Sequence, residues 1–146
     1  MKNINIKNRR ASFEFEFLEE FIAGIQLKGT EIKSIRNGEV SFSDSYCFFD
    51  KNELFVKNLS ISEYKHASFA QHDPKRNRKL LLTKRELKKL QSKTQEKGLT
   101  IIPSRIFINE KGFAKMVIVL ARGKKKYDKR QSLKIKDLKR EVRENS

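Results

Sequence analysis

The chain has 146 residues, with 34 Lys and Arg against 18 Asp and Glu, a formal net charge of +16 and an isoelectric point near 10.1. That length suits one domain, and 37% hydrophobic residues with 11 Phe and no Trp supply one aromatic core, which argues against global disorder. A single Cys excludes an intramolecular disulfide framework, one Cys with two His cannot build a zinc site of the usual paired spacing, and the charge calls for a polyanionic partner, either nucleic acid or an anionic membrane surface.

Met1 to Lys7 carries no apolar stretch of the secretory type, and the longest apolar run, residues 116–121, is far short of the ~20 residues that span a bilayer. A reducing cytoplasm fits. Phe13, Phe15 and Phe17 alternate with Glu14 and Glu16, the period of a half-buried strand with one acidic face, and Ile25 to Leu27 can continue it through a bend between Gly24 and Gly29. Thr30 to Arg36 reads as one or two helical turns stopped at Asn37-Gly38. Residues 40–49 and 54–61, rich in β-branched and aromatic side chains and separated by Asp50-Lys51-Asn52, predict a hairpin. Thr83-Lys84-Arg85-Glu86 has the form of a capping box, with Leu82 and Leu87 as its hydrophobic staple, and predicts a helix over about 84–97 with Gly98 as its cap. Residues 99–108 and 113–121 form a second hairpin, in which Pro103 demands an edge position or a bulge.

Five or so short strands with one helix between the third and fourth is the order of a mainly β, OB-fold-like Greek-key barrel, although an open α+β sandwich shares it. The division expected is an N-terminal arm over 1–11, a barrel over 12–122 and a basic C-terminal tail over 123–146. In that tail Ile135, Leu138 and Val142 make a narrow stripe at i, i+3 and i+7, too weak to hold a helix alone in water.

The charge falls in blocks. Residues 74–97 hold ten bases and two acids, and residues 122–146 hold eleven bases and four acids, so nearly all of the excess is local. Arg76, Arg78, Lys79, Lys84, Arg85, Lys88 and Lys89 put bases on the polar side of the leucine-faced helix. Gly123 to Arg130 sets Tyr127 inside a basic run, a combination suited to phosphate pairing and base stacking. Nucleotide-cradling glycine motifs and a nucleophile elbow are absent, and no catalytic residue, metal ligand set or cofactor is expected. His66 and His72 read as polar loop residues, Cys47 as a small buried apolar one, and Glu14, Glu16, Glu19 and Glu20 as a solvated face.

Asn8-Arg9-Arg10-Ala11, Ala23-Gly24-Ile25, Gly29 to Arg36, Asp44-Ser45-Tyr46, Arg78 to Leu82 and Gly123 to Arg130, six motifs in order over residues 8–146, resemble the small protein B family of bacterial tmRNA-binding (SsrA-binding) proteins. The resemblance implies a non-enzymatic adaptor with an OB-type barrel and a tail disordered until it meets the ribosome. Such an adaptor clamps the tRNA-like domain of tmRNA and, with elongation factor Tu, delivers it to stalled ribosomes for trans-translation, without a membrane. It further implies that Asn8, Arg9, Arg10, Glu31, Lys33, Arg36, Tyr46, Arg78, Lys79, Leu81 and Lys115 lie on or support the RNA-facing surface. Lys124, Lys125, Lys126, Tyr127, Asp128, Lys129 and Arg130 would enter the small-subunit decoding region. Helical residues beyond them, with Lys134, Lys136, Lys139, Arg140 and Arg143 on phosphates and Ile135, Leu138 and Val142 on one wall, would occupy the empty mRNA channel. Two departures stand out: Tyr127 where relatives commonly carry His, and Ile22 where the family usually has an RNA-contacting Glu, so that either Glu19 or Glu20 covers for it or the contact is missing. A constitutive ribosomal-type RNA-binding protein is the alternative reading of the same charge.

Overall fold

Residues 4–64 and 71–124 are described by a computed structural model. They form β1 (Asn5–Lys7), α1 (Ala11–Glu14), β2 (Phe15–Ile25), α2 (Gly29–Arg36), β3 (Val40–Ser41), β4 (Tyr46–Asp50), β5 (Glu53–Lys57), β6 (Ser60–Ile61), β7 (Arg78–Leu81), α3 (Lys84–Lys93), β8 (Leu99–Ile108) and β9 (Ala114–Gly123). Neighbouring strands run β8-β4-β5-β7-β2-β9, and pairing of β9 back to β8 closes the ring into a barrel, with β1 added beside β8 and β3 paired to β6 as a separate ribbon. Among the described residues closure leaves no long free edge, which removes a template for edge-to-edge pairing.

Inward-facing residues of each strand fill the barrel: Leu54, Val56, Leu80, Ile101, Ile106, Met116 and Ile118 are all at most 1% exposed, and Ile35 of α2 and Leu90 of α3 join the same cluster. Cys47 is buried there too, and burial pushes its thiol pKa up, as an inert core residue requires.

Helix α3 starts as its sequence dictates. The Thr83 hydroxyl accepts from the Glu86 backbone N–H at 3.2 Å, the Glu86 carboxylate accepts from the Thr83 N–H at 3.1 Å, and Leu82 and Leu87 pack on the core. It ends at Lys93, earlier than expected, because residues 95–99 turn back through bonds such as Glu96 N–H to Lys93 O and Leu99 N–H to Glu96 O. Helix α2 stops where Gly38 takes a positive φ of 74°.

Two strand readings are corrected. Phe13 belongs to α1, and the register of β2 against β9 slips between Phe17 and Glu19, so the buried residues of β2 are Phe21, Ala23 and Ile25 while Phe17 is 36% exposed. An extra residue in a strand exchanges its faces, so the Phe/Glu alternation does not extend into the core. The segment 40–49 does not run as one strand either: it breaks at Phe42–Ser45, which a turn bonds through Ser45 N–H to Phe42 O. The β4–β5 hairpin keeps the predicted turn, with Lys51 and Asn52 both at positive φ. At Pro103 the structure takes the bulge of the two options, since the β8–β9 register shifts between Pro103 and Arg105.

Candidate nucleic-acid interface

The bulge in β8 splits its partners. Strand β4 pairs β8 at Ile101, and β1 pairs it at Arg105 to Phe107. Between them, Asn8 donates its backbone N–H to Ser104 O at 2.8 Å and its side-chain Nδ2 to Pro103 O, also at 2.8 Å. Carbonyls at a bulge need partners, and Asn8 supplies them. Asn8 thereby acts as the peg that docks the arm, and Arg9 and Arg10 are exposed directly after it. The divergence of β1 and β4 leaves an open groove of about 660 Å³ whose walls carry Arg9, Arg10, Ser43, Asp44 and Tyr46 above Ile102. Arg10 is held loosely by Glu14 at 3.3 Å on an exposed helical turn. Tyr46 is 36% exposed and begins an outer aromatic row, 6.4 Å from Phe48, which in turn stacks on Phe55 at 5.8 Å.

A second cluster lies on the outer face of the sheet. Gly24 is in register with both Leu81 and Lys115. A Cβ at Gly24 would lie 3.4 Å from Leu81 Cβ and 3.7 Å from Lys115 Nζ, so glycine allows these side chains to close over the strand. Leu81 is 50% exposed and Ile22, on the same face of β2, is 58% exposed. Of the two carboxylates weighed as substitutes for a Glu at position 22, Glu19 turns to α3 and accepts from Lys89 at 2.6 Å, whereas Glu20 shares the face of Ile22, two residues or roughly 7 Å along the strand. Lys79 is half-buried and paired to Glu53 at 3.2 Å. Lys33 and Arg36 are exposed on α2, Lys33 over the Tyr64 ring at 5.4 Å.

Glu31 and Arg78 require correction. Both are fully buried and bonded to each other through Arg78 Nε and Glu31 Oε2, so neither reaches a ligand. Arg78 further donates to Leu59 O at 2.7 Å and Pro74 O at 3.1 Å, and Arg76 closes on the other Glu31 oxygen at 2.6 Å. Desolvation alone would raise the Glu31 pKa, but the bonds from Arg76, the Lys28 backbone and Arg78 together hold it below the ordinary carboxylate value. The pair therefore supports the surface from inside by clamping α2 to β7. Arg76, Arg78 and Lys79 thus leave the basic helix face, which keeps Lys84, Arg85, Lys88 and Lys89 on α3 itself.

His72 lies in a loop as expected but is buried there: it is 2% exposed, with Nδ1 2.8 Å from Thr30 Oγ1 and Nε2 2.8 Å from Ile61 O. His66 and residues 125–146, including Lys125, Lys126, Tyr127, Asp128, Lys129, Arg130 and the apolar stripe, lie outside the described residues. Lys124 is described, its N–H bonded to Glu14 O and its Nζ to Ser12 O, which places the start of the tail beside α1. Arg105 and Phe107, two residues apart in β8, share a face, which their spacing already marks in the sequence. Among the described residues no three His, Cys, Asp or Glu gather to hold a metal, and no helix is long and apolar enough to cross a membrane.

Comparison with known proteins adds three findings. The family model described as SmpB protein matches residues 5–146. SsrA-binding proteins of Cytophaga hutchinsonii and Thermus thermophilus are 60% and 48% identical, over 97% and 95% of this chain and 93% and 96% of theirs. A solved structure described as "tmRNA-SmpB: a journey to the center of the bacterial ribosome" superposes with a TM-score of 0.72 at 46% identity, covering 89% of this chain and 94% of that one.

Proposed function

We propose, since the chain belongs to the SmpB protein family, that it is an RNA-binding adaptor without covalent chemistry of its own, which binds the tRNA-like domain of tmRNA and brings it to stalled ribosomes for trans-translation. The observation that carries this reading is the outer cluster of Leu81, Gly24 and Lys115, set in register on a chain 46% identical to one solved as tmRNA-SmpB.

The barrel does the RNA binding. Lys115 neutralises a phosphate, Leu81 and Ile22 fit the RNA by shape, and Arg9, Arg10 and Tyr46 engage backbone and base across the groove. Lys33, Arg36 and Lys79 add positive potential around this surface. Residues from Lys124 onward serve the ribosome: Lys124 to Arg130 bring Tyr127 to the decoding region for stacking, and the bases from Lys134 to Arg143 follow the phosphate-lined mRNA channel that an intact message would fill. Elongation factor Tu joins through the aminoacyl end of tmRNA. Such work belongs in the cytoplasm.

Sequencing the RNA that co-purifies with the full chain tests this. One abundant tmRNA is the expected result, whereas ribosomal RNA in subunit proportions would favour a constitutive ribosomal protein. Truncation after Gly123 is expected to keep tmRNA binding and abolish peptidyl transfer to tmRNA on ribosomes stalled on truncated message.

A further inference from the structure

The outer cluster does not end at Lys115. Across β9 and β8 the register continues from Gly24 through Lys115 to Phe107 and on to Asn5 of β1, and one pleat along, Val117 faces Arg105, which faces Lys7. Arg105 lies over the Phe107 ring with its guanidinium carbon 4.9 Å from the centroid, and its Nη1 donates to Asn5 Oδ1 at 3.3 Å. A guanidinium held over a ring and bonded at its edge by an amide oxygen sets a planar, charged group on this half-buried face.

We propose that Arg105 and Phe107 form a stacking platform for an unpaired base of the bound RNA, extending the surface at Leu81 and Lys115 towards the arginine arm. This rests on the RNA-binding reading above and adds a subsite to it. Three observations favour RNA over mere surface packing. Lys7, Arg105 and Lys115 lie on this face and none is in an ion pair among the described residues, so their charge is available to phosphate. At these positions of β1, β8 and β9 the face carries no acid, and those of β2 lie at Glu20 and before. Its path around the barrel from β1 to β7 crosses five strands, roughly 19 Å along the curved surface at the usual strand spacing, a length that five to six nucleotides at about 3.4 Å each can follow.

The platform supplies a plane as well as a charge, and that separates it from a simple phosphate contact. The full-length protein is titrated with the transcribed tRNA-like domain of tmRNA over a range of salt, as wild type, Arg105→Lys, Phe107→Leu and Arg105→Ala, with melting curves to verify folding. Arg105→Lys keeps the charge and loses the plane, so affinity is expected to fall about fivefold or more with the salt slope unchanged, and Phe107→Leu is expected to match it. Arg105→Ala is expected to lose affinity and about one unit of salt slope as well. Wild-type affinity in either Arg105→Lys or Phe107→Leu overturns the platform while leaving the adaptor function standing. Failure of the wild-type chain to bind this RNA overturns both.

Discussion

Residues 76–79 and the exposed side of α3 have the same basic composition and meet opposite fates. Arg78 is fully buried and held by a carboxylate and backbone carbonyls, whereas Lys84, Arg85 and Lys88 stand in water with no ion pair among the described residues. The period of the element decides this. A strand sends every second side chain inward, so Arg78 is committed to the interior of β7, while a helix with one leucine face keeps its bases on the other. Positive charge counted along a chain is therefore an upper limit on the charge a polyanion meets.

Removing one partner of the buried pair is expected to have the largest effect. Glu31→Gln leaves Arg78 uncompensated and should cost about 3–5 kcal/mol in chemical denaturation, since the desolvated charge loses its counter-ion. A loss below about 1 kcal/mol, the range of an exposed pair, would erase the contrast between the two regions.

The same carboxylate sets an acid limit. Because its folded pKa lies below the ordinary carboxylate value of about 4.5, its contribution is complete above that value and is lost as pH falls through the lower, folded one. Stability of the wild type is expected to decline in that acid window, and the decline should be shallower in Glu31→Gln.

On the outer face, Lys115→Ala is expected to reduce the salt slope of RNA binding by about one and leave melting unchanged, while Leu81→Ala weakens binding with the slope intact. Equal slopes for wild type and Lys115→Ala would remove the phosphate contact. The smallest effect belongs to the surface pair of Lys89 and Glu19, both partly exposed: Lys89→Ala should cost at most about 1 kcal/mol.

Local signals were legible in the sequence and distant ones were not. Thr83 and Glu86 are three residues apart, so the start of α3 could be read directly, as could the Lys51–Asn52 turn. Glu31 meets Arg78 across 47 residues, and no pattern within either segment announces it. The motif Arg78 to Leu81 is a strand because β5 and β2 flank it, although its composition resembles the basic helix beside it. The phase of β2 depends on a single irregularity opposite β9. At the interface, the clustering of Leu81 with Lys115 came from family likeness, and Gly24 between them is its physical reason.

The peg at Asn8 joins residues 95 positions apart, and the ring closes through β9, whose last residue pairs with the first of β2. During synthesis the first strand and the arginine arm therefore wait for β8 before they can dock, and the surface around Lys115 does not exist until β9 has emerged. A nascent copy halted anywhere before that strand lacks the folded form. Assembly of this outer face is in this way tied to the emergence of β9, so a protein whose solved relative is described as tmRNA-SmpB forms the face only after the last strand of its barrel has been made.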